Sequence, residues 1–166
     1  MAAGAAAALS KAVAPMAEFP YNPIQLVQPN QPVLLNDSIP CGKGYVFHRP
    51  ESGIVTLRGI VNCPNACFAR YQVTFNGNIA VPDDGTVGAI AIALAISGEP
   101  IQTSRAIVTP AAVDEYFNVT STAIITVPRG CCFNLSVENV SEGETAADTP
   151  TAINVQNANL VVSRIA

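Results

Sequence analysis

The stretch "AIAIALAI", residues 89–96, alternates small and large apolar side chains without a polar residue among them. A period of two puts Ile90, Ile92, Leu94 and Ile96 on one face of an extended strand and Ala89, Ala91, Ala93 and Ala95 on the other. A strand with one wet face alternates apolar with polar. Here the second face is apolar but small, so something packs closely on it: a loop, the N-terminal arm or another subunit. Left bare, such a strand is an aggregation hazard. The chain must therefore build a sheet and cover this strand on both sides.

The rest of the sequence supplies that sheet. "ARYQVTFNGNIAVP" (69–82) places Tyr71, Val73 and Phe75 on one face and Arg70, Gln72 and Thr74 on the other. Asn76-Gly77 signals a turn or bulge, and Asp83-Asp84-Gly85 a second turn. "GYVFHRPESGIVTLRG" (44–59) gives two short strands split by Pro50 and Gly53. After the turn "SGEP" (97–100) and a connection through "TPAAVDEYF" (109–117) come the strands "NVTSTAIITVP" (118–128) and "CCFNLSVEN" (131–139). An acidic loop, "SEGETAADTP" (141–150), precedes a last strand in "TAINVQNANLVVSRIA". Pro23, Pro29, Pro32 and Pro40 confine the early segment to sheet edges or very short strands. Eight to ten strands with almost no helix predict an all-β protein, a two-sheet antiparallel sandwich or jelly roll.

Composition agrees. The 166 residues suit one domain with a real core, and 13 Pro and 11 Gly serve many turns. Charged residues make up 12%, about half the usual ~25%, so a partner is expected to cover part of the surface. A net charge of −4 with 8 Lys and Arg gives no basic stripe for nucleic acid. No apolar run reaches the ~20 residues that span a membrane.

The opening "MAAGAAAALSKAVAPMAEF" differs from everything after it. Its alanines favour helix, kept short by Gly4 and Pro15. The "AVA" ending at Ala14 resembles a cleavage site, but no positive charge precedes the apolar part and Lys11 interrupts it. The reading is an arm (1–22) that orders against a neighbour, followed by a jelly-roll domain (23–166).

Catalytic and metal inventories are thin. His48 is the only histidine, which excludes a multi-histidine metal site, and no "G-x-S-x-G" or phosphate-binding glycine loop occurs. His48 sits in "FHRPESG" and is read as a turn residue. An enzyme is not expected, nor any cofactor. Five cysteines are an odd number, and a reducing cytoplasm during folding fits a domain this size. Cys63 and Cys67 flank a Pro-Asn turn; the residues leave open a local disulfide, a zinc site shared with Cys131 and Cys132, and free, partly buried thiols. Adjacent cysteines in a strand point to opposite faces, which argues against the zinc site.

"GEPIQTSRAIVTP", "STAIITVPRGCCFNLSVENVS" and "INVQNANLVVSRIA" together resemble the last half of the tumour-necrosis-factor-like and complement-head jelly rolls, most closely the bacterial and phage branch. The "ARYQVTF" strand is similar to that family's "G-x-Y-x-V-x-F", with Ala69 where Gly is usual. The resemblance covers roughly residues 24–166 and implies a homotrimer with a binding or structural role. It also implies that the 69–75 strand lies beside the 132–139 strand, antiparallel. On that topology Cys63 and Cys67 lie at the opposite end from Cys131 and Cys132, and Arg70 lies near Glu138. Cys131, Phe133, Leu135 and Val137 then face the core, with Cys131 filling core volume. Arg70, Gln72, Thr74, Cys132, Asn134, Ser136 and Glu138 form the trimer interface.

The short Ala-rich arm resembles phage head-decoration or head-fibre proteins. The expected function is a homotrimeric capsid decoration protein of a bacteriophage, made in the bacterial cytoplasm and displayed on the capsid exterior. Leu9, Val13, Met16, Phe19 and Tyr21 would dock on the major capsid protein. The alternative is a receptor- or glycan-binding head of a bacterial surface or fibre protein, recognising a host-surface ligand through loops such as "SEGETAADTP", with Tyr116 and Phe117 as its aromatics.

Overall fold

The computed structural model describes residues 15–39, 44–142 and 150–166. Two antiparallel sheets form a jelly-roll sandwich. One has the order β1 (Met16–Tyr21), β11 (Ile153–Arg164), β5 (Phe68–Ala80), β9 (Phe117–Pro128), with β2 (Gln25–Val27) also on β11. The other runs β3 (Val46–His48), β4 (Val55–Arg58), β10 (Cys132–Asn139), β6 (Ile90–Ile96), β7 (Glu99–Pro100), with β8 (Ala106–Val108) also on β6. A single 3-10 turn at Gln102–Ser104 is the only helical element among the described residues.

The period-two patterns set which side chains fill the sandwich. Tyr71, Val73, Phe75 and Ile79 of β5 and Leu160 and Val162 of β11 are buried against Val55, Leu57, Leu135, Val137, Ile90, Ile92 and Leu94 of the other sheet. Each such side chain contributes about 1.5–3 kcal/mol on burial, most of it offset by chain entropy. Tyr71 also ties the sheets together: its hydroxyl donates to the carbonyls of Arg58 at 2.5 Å and Tyr45 at 3.2 Å. A buried phenol needs such partners.

The turns follow their residues. Ser97 and Gly98 have φ of 53° and 81°, the left-handed pair of a two-residue hairpin turn. Gly130 has φ 78° in the Pro128–Cys131 turn, which carries the chain from β9 in one sheet to β10 in the other. Asn76-Gly77 is not a turn, since β5 runs straight through it. The irregularity lies opposite, in β11, where the register shifts between Gln156 and Asn159 and Asn157 has φ 54°. The Pro-rich segment forms only β2 and isolated bridges; the Val33 amide reaches the Val137 carbonyl at 2.7 Å, and Pro32 pairs with Glu138. Proline's missing donor explains that fragmentation.

Two expectations need correction. The jelly roll does not begin at residue 23: Met16–Tyr21 pairs with β11 over its whole length, so that part of the presumed arm is a strand of the sheet. Nor does β5 lie beside β10. β5 is flanked by β11 and β9, while β10 is flanked by β4 and β6 in the other sheet. Period two reports which face a residue takes; it carries no information about which strand becomes its neighbour.

Candidate interaction surfaces

The outward face of the five-stranded sheet is broad and nearly uncharged. β5 contributes Arg70, Gln72, Thr74, Asn76 and Asn78; β9 sets Thr126, Ile124, Thr122, Thr120 and Asn118 directly opposite them. Asn76 Nδ2 donates to Asn118 Oδ1 at 3.2 Å and Thr120 Oγ1 at 2.8 Å, and Asn118 Nδ2 to Asn78 Oδ1 at 3.1 Å. The Thr74 and Thr122 hydroxyls lie 3.2 Å apart. These bonds hold the side chains in fixed positions. Ile124, 64% exposed, stands midway along β9, the edge strand of this sheet, opposite Gln72. On β1 and β11, Glu18 accepts from Asn159 Nδ2 at 2.8 Å, and at the near edge Arg70 stacks 4.6 Å over the Phe68 ring. The sequence reading named Arg70, Gln72 and Thr74 but missed the β9 row, although the alternation in "NVTSTAIITVP" carries it.

The other four proposed interface residues lie across the sandwich. Cys132, Asn134, Ser136 and Glu138 do point away from the core, but from the six-stranded sheet, so they share no face with Arg70, Gln72 and Thr74. Ser136 and Glu138 are buried within the chain, and the Ser136 hydroxyl donates to Glu138 Oε1 at 2.9 Å. Arg70 therefore does not meet Glu138. Ser136 and Glu138 line a shallow groove of about 320 Å³ with Asn134, Pro32, Ile54, Ser97 and Gly98.

Beside that groove lies the cover for the alanine face of β6. Ala106 pairs with Ile92, the last pair of that ladder, and continuing the antiparallel register brings Arg105 alongside Ala93. Its guanidinium reaches across β6 to the Val140 carbonyl at 3.0 Å and Glu142 Oε1 at 3.1 Å. That path takes the arginine over the outward side of β6, where Ala91 and Ala93 leave it room. The cover is the chain's own, supplied by the β7–β8 connection.

The cysteines also need correction. Cys63, Cys67, Cys131 and Cys132 are free and exposed, so Cys131 does not fill the core. It precedes β10 in the turn, where its carbonyl accepts from the Gly59 amide at 2.8 Å. The pairs are not at opposite ends: the Arg129 amide donates to the Cys67 carbonyl at 2.8 Å, which brings both to one end. No group of three or more His, Cys, Asp or Glu side chains among the described residues could hold a metal ion. Cys41 lies outside the described residues.

Of the proposed docking residues, Leu9 and Val13 lie outside the described residues. Met16 is exposed, and Tyr21 is half-buried against the core. Phe19 is 2% exposed and stacks on His48 with ring centroids 5.0 Å apart, so it belongs to the core and is not free to dock. His48 Nε2 lies 2.9 Å from the Ser52 carbonyl. Tyr116 is half-buried; burial and the Asp114 carboxylate raise its phenol above the ordinary value, and a hydrogen bond to Asn154 lowers it in part.

No family model matches the sequence, and no curated sequence is similar to it. Solved structures are similar in fold. The globular domain of zebrafish complement 1qA protein superposes with a TM-score of 0.61 over 93% of this chain and 98% of its own, at 15% identity. Murine APRIL, crystallised at pH 5.0, gives 0.52 over 92% of this chain and 100% of its own, at 10% identity. The fold is a jelly roll of the tumour-necrosis-factor and complement-head type.

Proposed function

We propose that this chain is a structural protein of a bacteriophage virion, a homotrimer that decorates the capsid exterior and is made in the bacterial cytoplasm. The observation that carries the reading is the outward face of the five-stranded sheet. Charges are scarce on it, its Asn and Thr side chains are already fixed by one another, and Ile124 on the edge strand offers an exposed apolar side chain. Interface cores are depleted in charge, and prefixed side chains cost little entropy to bury. Three copies meeting through this face would cover it, in keeping with the trimer that the resemblance implies. The face involved is that of β5 and β9, with Arg70, Gln72 and Thr74 retained and the β10 residues released.

The chain enters the sandwich at Pro15, whose carbonyl accepts from the Arg164 amide at 2.9 Å. Residues 1–14 of three protomers would thus leave from equivalent points and bind a shell jointly, multiplying a weak contact. Light scattering of the purified full chain tests the trimer; a mass of 17.2 kDa, one protomer, would sink it. Deleting residues 1–14, which spares β1, tests anchoring by co-sedimentation with capsids of the virus that encodes the chain. Loss of binding with an intact trimer supports the reading; unchanged binding refutes the anchor.

A further inference from the structure

The strand registers decide which residues share each end of the sandwich. Arg58 pairs with Cys132, Phe68 with Pro128 and Arg164 with Tyr71, and the Arg164 amide bonds Pro15. Residues 15–17, 44–46, 57–70, 126–132 and 162–166 therefore gather at one end. They include Arg58, Arg70, Arg129 and Arg164 and not one Asp or Glu among the described residues. Among the described residues only Arg49 and Arg105 carry positive charge elsewhere. The opposite end presents Asp83, Asp84, Asp114, Glu115 and Glu142, all exposed, against Arg105 alone. A chain of net charge −4 is thus strongly polarised along the strands.

Folding does not require this separation, because like charges gathered at one end repel. Among the described residues, none of the arginines at this end is in an ion pair. Arg164 lies 4.2 Å over the Tyr45 ring, and its Nη1 is enclosed without an acceptor. The surface between the arginines is equally unusual. Cysteine is among the most buried residue types, yet Cys63, Cys67, Cys131 and Cys132 are all exposed here, beside the partly exposed Phe68 and Ile165. Arginine with aromatic and apolar neighbours is the composition of an interface core.

We propose that this end docks on an acidic protein surface, its exposed Arg58 and Arg129 forking onto carboxylates around an apolar, thiol-bearing centre. Guanidinium groups match carboxylate geometry. The acidic far end points away from such a partner. A protein surface can also cover the apolar, thiol-bearing centre, which the phosphates of nucleic acid or of an anionic bilayer surface do not. Where the partner is the capsid shell, the inference rests on the function proposed above, and it fixes which end meets the shell.

The thiols themselves report occupancy. The full chain is incubated at low salt with poly-L-glutamate, and alkylation of Cys63, Cys67, Cys131 and Cys132 is followed by mass spectrometry. Protection of about tenfold is expected, lost near ~0.5 M NaCl. The double variant Arg58→Glu/Arg129→Glu should abolish it, while Asp83→Lys/Asp84→Lys should keep it; all these side chains are exposed, and thermal melting checks that the fold is retained. Unprotected wild-type thiols, or protection that survives the arginine reversals, overturn the proposal. So does equal protection by phosphatidylserine vesicles or duplex DNA. With capsids, binding lost only in the arginine variant supports both readings. Capsid binding that persists in that variant, with the thiols still reactive, overturns docking by this end and leaves the virion reading standing. Protection by poly-L-glutamate with no capsid binding by the wild type supports this docking end and sinks the virion reading instead.

Discussion

Replacing Ala93 with leucine tests what covers the outward side of the most apolar strand. Ala93 is 1% exposed and lies between Glu138 of β10 and the position of Arg105. A leucine occupies the space through which the Arg105 side chain passes to reach Val140 and Glu142. Overpacking of this kind costs about 1–3 kcal/mol. Displacing Arg105 adds little through its ion pair, because Glu142 is 76% exposed and water screens the attraction. The sum is about 2 kcal/mol, a fall in Tm of about 4–8 °C for a domain of this size.

The decisive comparison is with Arg105→Ala. In that background the leucine fills the space the arginine vacates, so Ala93→Leu should be neutral or stabilising. Thermal or urea denaturation of the four proteins in the cycle then gives a coupling of about 2 kcal/mol. If Ala93→Leu costs the same with and without Arg105, the arginine does not lie over Ala93. The cover would then have to come from elsewhere, and the explanation of the alanine row would fall.

Other outcomes follow from the same geometry. Ile124→Lys puts a charge within the proposed trimer face and should reduce the mass in light scattering to that of a protomer; since Ile124 is 64% exposed, the protomer's melting should change by under ~0.5 kcal/mol. Ser104→Ala strands the buried Leu94 amide, which donates to the Ser104 hydroxyl at 2.9 Å, and should cost about 1–3 kcal/mol in urea denaturation. Gly59→Ala would place a Cβ 2.0 Å from the Pro128 carbonyl oxygen, so it should destabilise by more than ~3 kcal/mol, and a stability near wild type would contradict the close approach. The Tyr116 phenol is raised in the folded state, so the stability it contributes is full below the unfolded-state value of ~10 and is lost as the pH climbs through the folded value. Asp114→Asn should move the Tyr116 midpoint down in a spectrophotometric titration; an unmoved midpoint would remove Asp114 as a cause.

The sequence by itself determined the fold class and the facing of each long strand. Tyr71, Val73 and Phe75 are buried and Arg70 and Gln72 exposed, as the alternation requires, because side-chain direction in a strand is a local property of the backbone. It determined the turns at Ser97-Gly98 and Pro128-Arg129-Gly130 for the same reason. It also showed that the alanine face of β6 must be covered, though not by what.

Tertiary structure alone decided the neighbours. β9 and β10 are joined by a tight turn yet belong to different sheets, and that single fact moves Glu138 and Ser136 away from Arg70 and puts Cys67 at the same end as Cys131. Strand pairing is a long-range choice among segments with similar patterns, settled by how the whole core closes. Phe19 shows the same limit: an apolar residue near the start of the sequence reads equally well as a docking group or a core group until β11 takes β1 as its partner. The polarity of the molecule has the same origin. Arg58, Arg70, Arg129 and Arg164 are scattered over more than half the sequence, and only antiparallel pairing brings them to one end: Arg58 and Arg164 close β4 and β11, Arg129 follows the end of β9, and Arg70 lies at the start of β5.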